Sequence, residues 1–230
     1  MKVGLGIAGA RLVGTALLLA ACAGPGSPDR NVRRDAGTRQ PAGGTDLAAL
    51  LSSAKMPDNY SYEHVVYSLN SEVVAFSVAA KGHKLRIHVG SGTATPVYYI
   101  DSSKNETLVY IKSLNTYNKL AAMDEPSVVD PLTYAKDRII GGSLGYHLAQ
   151  FSKSADETVD GNPCDVYVYD AASANARYKL YLLKASHILL RDEMSNISDG
   201  AVKTYEELKG FKTGTVTDAD VTLPPAAQPY

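Results

Sequence analysis

The fold of this chain is decided by one stretch in its second half, Glu157-Thr-Val-Asp-Gly-Asn-Pro-Cys-Asp-Val-Tyr-Val-Tyr169. Two short runs of strand-forming residues flank the segment Asp160-Gly-Asn-Pro163, which is a strong turn signal. Two strands joined by so short a turn must be antiparallel, because a parallel pair needs a crossover of a dozen or more residues. The stretch therefore predicts a hairpin within an antiparallel sheet.

The same kind of signal recurs on both sides of this hairpin. Leu85, Ile87 and Val89 alternate with basic residues, as expected of a half-buried strand. Asn70-Ser71 and Asp199-Gly200 provide further turn signals. These patterns predict strands over 60–67, 72–78, 83–89, 96–100, 107–111, 117–121, 156–159, 164–169, 178–183, 188–195 and 201–211.

Two segments have helical patterns instead. A short helix is predicted over 46–55, with Thr45 or Asp46 as its cap. Between Leu132 and Phe151 apolar residues recur at helical spacing, but Gly141 and Gly142 interrupt them, which predicts two short helices or one kinked helix. The predicted fold class is therefore α+β, with a locally connected antiparallel sheet.

The N-terminus is typical of an export signal. Lys2 and Arg11 precede a short apolar run, which is too short to cross a bilayer. The segment Leu19-Ala-Ala-Cys22 resembles the lipobox of bacterial lipoproteins, and this resemblance implies cleavage before Cys22 and lipid on its sulfur. The alternative is an ordinary cleaved signal with a chance cysteine.

These features divide the chain into three parts: a signal peptide over 1–21, a flexible lipidated tether over 22–45 and a β-rich domain over 46–230. The tether is rich in Gly, Pro, Ala and Arg, and its arginines either contact anionic headgroups or are simply solvated. Cys164 is the other cysteine, so the domain is expected to lack a disulfide. Burial in the core is the favoured interpretation of Cys164, and a reactive thiol is the alternative.

Composition and motifs argue against several functions. The formal net charge is −1, which is unlike a nucleic-acid-binding protein. The histidines show no metal-ligand spacing, and no cofactor is predicted. A dinucleotide-like glycine pattern lies inside the signal peptide. Gly141-Gly-Ser-Leu-Gly145 matches a nucleophile elbow, with His187 downstream, but the expected antiparallel sheet makes catalysis by Ser143 a weak alternative, so no enzyme is predicted.

Two stretches resemble the LolA-like family of lipoprotein-sorting and lipoprotein-carrier proteins. One is the hairpin Glu157 to Tyr169, and the other runs from Tyr205 through a Gly-containing turn to Leu223-Pro224. The order of strands and helices is also similar over roughly 46–224. The resemblance implies an incomplete, half-barrel antiparallel sheet whose concave face is closed by helices and holds acyl chains or other lipids.

The predicted function is accordingly that of a lipid-anchored envelope protein that binds a lipid or lipoprotein acyl chain in an apolar cavity, in lipoprotein or lipid sorting. The alternative is an envelope interaction or sensor module that binds a protein partner and no lipid. The expected location is the outer membrane facing the periplasm in a Gram-negative cell, or otherwise the outer face of the cell membrane. Residues expected on the concave face are Leu85, Ile87, Val89, Val109, Val166, Val168, Leu180 and Leu182.

Tyrosine is unusually frequent, with 15 Tyr against 3 Phe and no Trp. Strand propensity alone is one explanation for this bias. The other is a cavity wall, because a tyrosine ring offers an apolar surface with one polar end to an amphipathic ligand.

Replacing the lipobox cysteine tests the predicted anchor directly. Cys22→Ser should abolish incorporation of labelled palmitate and move the full chain from the detergent phase to the aqueous phase, because two or more acyl chains are needed for stable anchoring. Cys164→Ser is the matched control and should leave both readouts unchanged. Unchanged labelling in Cys22→Ser would contradict the assignment.

Overall fold

A computed structural model describes residues 47–68, 70–90, 92–120 and 130–230. Within them the dominant element is one 13-stranded sheet. The predicted signal peptide, the tether and Cys22 lie outside the described residues. The strands are β1 (Asn59–Ser68), β2 (Ser71–Lys81), β3 (Lys84–Val89), β4 (Pro96–Asp101), β5 (Glu106–Ile111), β6 (Thr116–Leu120), β7 (Ser152–Lys153), β8 (Glu157–Val159), β9 (Asn162–Ala171), β10 (Ala176–Leu183), β11 (Leu189–Asn196), β12 (Val202–Thr213) and β13 (Gln228–Pro229).

The sheet consists of two meanders, β1 to β6 and β9 to β12, which are joined where β1 pairs antiparallel with β12. Its strand order is β13-β6-β5-β4-β3-β2-β1-β12-β11-β10-β9-β7, and β8 also pairs with β9. Every pairing is antiparallel except that of β13 with β6. The two ends do not pair, so the sheet is an open half-barrel and the predicted fold class is confirmed.

The hairpin predicted over Glu157 to Tyr169 forms as expected. β8 ends at Val159 and β9 begins at Asn162. Asp160 and Gly161 between them have φ values of +47° and +81°. Positive φ at both central residues is the geometry that a two-residue hairpin requires, and Asp-Gly is among the sequences that adopt it at least cost.

Besides short 3₁₀ turns at Ala172–Ala174 and Ala219–Val221, two helical regions lie outside the sheet. Helix α1 spans Leu47–Ser53 and helix α2 spans Pro131–Tyr134. Asp130 caps α2 by accepting hydrogen bonds from the backbone N–H groups of Leu132 and Thr133. The chain then continues as a π-helical turn, Ala135–Ile140, and as a 3₁₀ helix, Ser143–Gln150. Residues 131–150 are called the helical cap below, and their interruption at Gly141 and Gly142 agrees with the predicted break.

The pairing register defines which side chains share a face. Direct cross-strand partners point to the same side, so Leu180, Asp192, Glu206 and Val66 form one row across β10, β11, β12 and β1. Leu180 in this row, and Leu182 two residues further along β10, pack against α1 and the helical cap, and both are fully buried. This side of the sheet is called the capped face. Helices therefore cover one face of the half-barrel, as predicted.

Two larger groups of buried side chains and one small group form the core. One larger group joins α1 and the helical cap to the capped face, and the other connects β1 to β3 with β8 to β12. The small group, Ala79 with Val216 and Val221, lies where the chain after β12 crosses the opposite face. Among the described residues, none of the helices is long and apolar enough to span a bilayer.

Leu180 offers a stability test of this core. Leu180→Ala should lower the free energy of unfolding by about 2–5 kcal/mol, because a fully buried side chain leaves a cavity between sheet and cap. Leu114→Ala, at a position with 62% of the residue exposed, should change it by less than about 0.5 kcal/mol. Urea unfolding measures both, and equal small losses would contradict the described packing.

Candidate functional site

The candidate site is the space between the capped face and the helices that cover it. Its sheet side includes Leu180, Leu182 and Tyr167, each almost completely buried. The covering side consists of apolar residues of α1 and of the helical cap. Those that pack here are Leu47, Leu51, Ala135, Ile139 and Leu148, with Leu50, Tyr134, Ile140, Leu144 and Phe151 partly buried beside them.

Beside this apolar contact lies a cluster of ionisable side chains that attaches the cap to the sheet. The Tyr134 hydroxyl of the cap donates a hydrogen bond to Asp192 Oδ1 at 3.0 Å. The Arg138 Nη2 of the cap donates to Glu206 Oε1 at 3.2 Å. His64 Nε2 lies 3.1 Å from the other oxygen of Glu206. These five residues (His64, Tyr134, Arg138, Asp192 and Glu206) are called the cap junction.

Strand register brings the sheet residues of the junction together. Asp192 of β11 lies directly opposite Glu206 of β12, and Glu206 lies opposite Val66 of β1. His64 is two residues from Val66 and therefore points to the same face. Because the side-chain period of a strand is two, all three ionisable groups face the helical cap.

The two carboxyl groups respond to this environment in opposite directions. Burial and the neighbouring Glu206 raise the pKa of Asp192 to about 7. Burial also raises the pKa of Glu206, but the hydrogen bond from His64 and the charge of Arg138 outweigh it, so this pKa lies below its ordinary value. Burial raises the pKa of Tyr134, which therefore stays protonated and available as a donor. Below neutral pH the carboxyl pair thus carries one negative charge.

The space left at the junction is small. A cavity of about 20 Å³ lies there, bordered by Tyr62, Phe76, Pro131 and Leu208 as well as by junction residues. This volume suits about one water molecule. Where α1 and the helical cap pack against Tyr167, Leu180 and Leu182, their own side chains occupy the surface, so an acyl chain would enter there only if the cap moved.

Six of the eight residues expected on the concave face do lie on the capped face. Leu180 and Leu182 lie beneath the cap. Val89 lies opposite Phe76, which is on the same face as His64, and Ile87 and Leu85 follow by alternation. Tyr98 pairs with both Ile87 and Val109, so Val109 lies on the same face as Ile87.

Val166 and Val168, the other two residues, do not share the side of Leu180. Tyr167, and not Val166 or Val168, lies opposite Leu180, so both valines point to the other face. Val166 is buried with Cys164 and Tyr181 in the larger group that also contains Leu85 and Ile87. Alternation alone does not define the inward side of β9, because this strand carries apolar residues on both faces.

The cap junction itself was not identified from the sequence. A usable signal exists in β1, where Tyr60, Tyr62, His64 and Val66 alternate and His64 is the one basic residue in that inward row. Burying an ionisable side chain at an inward position costs free energy unless it has a partner, so such a residue indicates a partner elsewhere in the fold. Its partner Glu206 is 142 residues away in the chain, so the pairing depends on the fold.

The elbow-like motif and Cys164 have structural explanations. Ser143 is exposed and begins a 3₁₀ helix after a π-helical turn, and His187 contacts Ser53. A Cβ atom on Gly145 would lie 1.9 Å from the backbone oxygen of Ile140, so close packing within the cap requires a glycine. Cys164 is completely buried, and burial raises the pKa of its thiol to about 11. Within the described ranges, no group of three His, Cys, Asp or Glu residues is arranged to hold a metal ion.

No protein-family model and no curated protein matches this sequence. Among solved structures, the MucA/MucB complex of Pseudomonas aeruginosa is similar over 80% of this chain and 62% of that chain, with 12% identity and a TM-score of 0.45. The Mycobacterium tuberculosis lipoprotein LppX is similar over 74% and 97%, with 11% identity and a TM-score of 0.36. A LolA superfamily protein from Nitrosomonas europaea is similar over 76% and 96%, with 9% identity and a TM-score of 0.30.

These similarities place a LolA superfamily protein among the structural neighbours, while membership of that family stays a prediction. This chain spans only about three fifths of the matched chain in the MucA and MucB complexes, at 60% and 62%. At such low identities and TM-scores the likeness carries no argument about function, which rests on the geometry of the capped face.

Gly145 provides a test of the cap's construction. Gly145→Ala should destabilise the chain by about 1–3 kcal/mol and speed amide exchange in residues 131–150, because the added methyl group clashes with the Ile140 carbonyl. Ser143→Ala, an exposed site two residues earlier, should leave both the unfolding free energy and the exchange unchanged. Identical behaviour of the two variants would contradict the close packing described.

Proposed function

We propose that this chain is a lipid-anchored envelope protein that holds an acyl chain, from a lipid or a lipoprotein, between the capped face and the helical cap, and that it catalyses no reaction. The observation that carries the proposal is the apolar surface of the capped face, which is buried by elements outside the sheet. A sheet face built from side chains such as Leu180 and Leu182 must remain covered, and an acyl chain can replace the cover that the cap now provides.

The construction of the cap supports this exchange. Its three helical pieces differ in type, and the longest, Ser143–Gln150, is a 3₁₀ helix with poorer hydrogen-bond geometry than an α-helix. Its polar attachments to the sheet include, among the described residues, the bonds of Tyr134 and Arg138, and the His147 ring stacks on Tyr169 of β9. Much of its other contact with the sheet is apolar, and an acyl chain contributes about 0.8 kcal/mol per buried methylene group in the same way.

The small cavity favours a second candidate function. Only about 20 Å³ is empty at the junction, so the chain's own side chains fill the space between the sheet and the cap there. The same fold would then act as an interaction or sensor module of the cell envelope, with a protein partner at its surface and no lipid. Whether the cap exchanges its place with an acyl chain separates the two functions.

The cellular setting of both candidates comes from the N-terminal sequence. Lipid on Cys22 would hold the domain at a membrane, with residues 22–45 as the tether. The outer membrane facing the periplasm is the proposed site in a Gram-negative cell, and the outer face of the cell membrane in other bacteria.

Photochemical mapping on the full chain tests acyl-chain binding and its position together. A phospholipid with a diazirine in its acyl chain should bind near one-to-one by native mass spectrometry. After irradiation it should label Leu180, Leu182 and the underside of the cap. Val166 and Leu183, on the opposite face, should remain unlabelled. Absence of uptake of both phospholipid and acylated peptide would favour the interaction module.

A matched pair of cap variants makes the test more specific. Leu144 is partly buried against the capped face, whereas Tyr146 is 87% exposed on the same 3₁₀ helix. Leu144→Asp should weaken lipid binding by about tenfold or more, since a carboxylate beside an acyl chain loses its hydration. Tyr146→Asp should bind as the wild type does. Equal binding by both variants would place the lipid elsewhere.

A further inference from the structure

The cap junction has a property that acyl-chain binding does not explain. Its attachment of the helical cap to the sheet depends on two carboxyl groups, Asp192 and Glu206, that lie directly opposite each other on neighbouring strands. Like charges in this arrangement repel each other. Two hydrophobic residues would cover the face without this conflict, so the pair gives the cap a dependence on protonation that an apolar contact lacks.

The groups that surround Asp192 come from β12, the helical cap, β10 and its own strand. β12 presents Glu206, which also contacts His64 of β1. The cap presents the Tyr134 hydroxyl and, on the Glu206 side, the Arg138 guanidinium. β10 presents the apolar Leu180. The neighbours of Asp192 on its own strand, Arg191 and Glu193, alternate to the opposite face and bind each other there.

The Arg138 guanidinium compensates the negative charge of Glu206, and His64 is also engaged with Glu206. Asp192 has the neutral Tyr134 hydroxyl as its cap partner. A charge on Asp192 would therefore be buried next to Glu206 without a cation of its own. Lifting the cap would expose it to water and remove that penalty.

We propose that the cap junction is a protonation-controlled latch: the helical cap stays on the sheet while Asp192 holds a proton, and loss of that proton favours release of the cap. This inference concerns regulation of the acyl-chain site and rests on the proposed function for its biological use. The latch itself is a property of the cap and the sheet and can be tested without lipid.

The direction of the pH effect follows from proton linkage. In the closed state the pKa of Asp192 is raised to about 7, and with the cap lifted it falls towards the ordinary value of about 3.8. The open state therefore binds fewer protons between these two values, and opening becomes more favourable as pH rises through this range. For one proton the opening constant increases about tenfold per pH unit and levels off above about pH 7.

Hydrogen–deuterium exchange of the full chain measures cap opening. Exchange rates of amides in residues 131–150, corrected for the intrinsic pH dependence, should rise about tenfold per unit between pH 5 and 7 and then flatten. Asp192→Asn keeps the shape and the acceptor for Tyr134 but cannot ionise, so its cap should show no such rise. A control, Asp170→Asn, removes a carboxylate that is paired with Arg177 and should retain the wild-type profile.

Two outcomes would overturn the latch. The first is a corrected exchange rate of the cap that does not change with pH in the wild type. The second is a full pH response of that rate in Asp192→Asn, because it would assign the response to His64 or another group. If Asp192→Asn does not fold, Glu206→Gln replaces it. Without the opposing charge the pKa of Asp192 should fall, so the levelling-off should move to lower pH, and an unmoved profile would contradict the proposal.

Lipid uptake at pH 5.5 and 7.5 separates this inference from the proposed function. A pH-dependent cap in a chain that takes up no phospholipid would uphold the latch and reject acyl-chain binding. Uptake with a pH-independent cap would uphold acyl-chain binding and reject the latch. If both hold, uptake into an empty wild-type chain should be faster at pH 7.5, and the rate should not differ between the two pH values in Asp192→Asn.

Discussion

The pairing of β1 with β12 is the interaction on which the rest of the structure depends. It joins the meander β1–β6 to the meander β9–β12 and so makes one open sheet from two locally connected halves. Its register also sets His64 beside Glu206, and the next pairing sets Glu206 opposite Asp192. A slip of one residue would turn all inward side chains of β1 outward, so the sheet and the cap junction are specified together.

Apolar packing and the cap junction have different roles in holding the helical cap. Buried residues such as Leu180, Leu182 and Ile139 supply most of the favourable free energy, because it scales with apolar area. The junction supplies position, since hydrogen bonds from Tyr134 and Arg138 have defined partners. Apolar contact alone would permit several cap positions of similar energy, whereas the ionisable groups favour one.

This division of roles would allow the cap to move while the sheet keeps its strand pairing. The sheet is held by long ladders of backbone hydrogen bonds, while the cap is a series of short helical pieces with close backbone contacts at Gly142 and Gly145. Local opening of the cap would leave the strand pairing intact. The same opening would expose apolar residues such as Leu180 and Leu182. Such exposure is required of a site that the chain's own side chains occupy when no ligand is bound.

Local sequence patterns by themselves determined every strand except the two-residue β7 and β13, the main turns, the break in the cap and the antiparallel class, because these depend on propensity and on contacts between neighbours. The hairpin at Asp160-Gly161 is the clearest case, since its positive φ angles need those residue types. Only the tertiary structure decided the side on which Val166 and Val168 lie, because both faces of β9 are apolar and the pairing of Tyr167 with Leu180 settles the choice. It also decided the cap junction, whose members come from three strands and the helical cap, because the burial that perturbs Asp192 and Glu206 exists only after those parts have packed together.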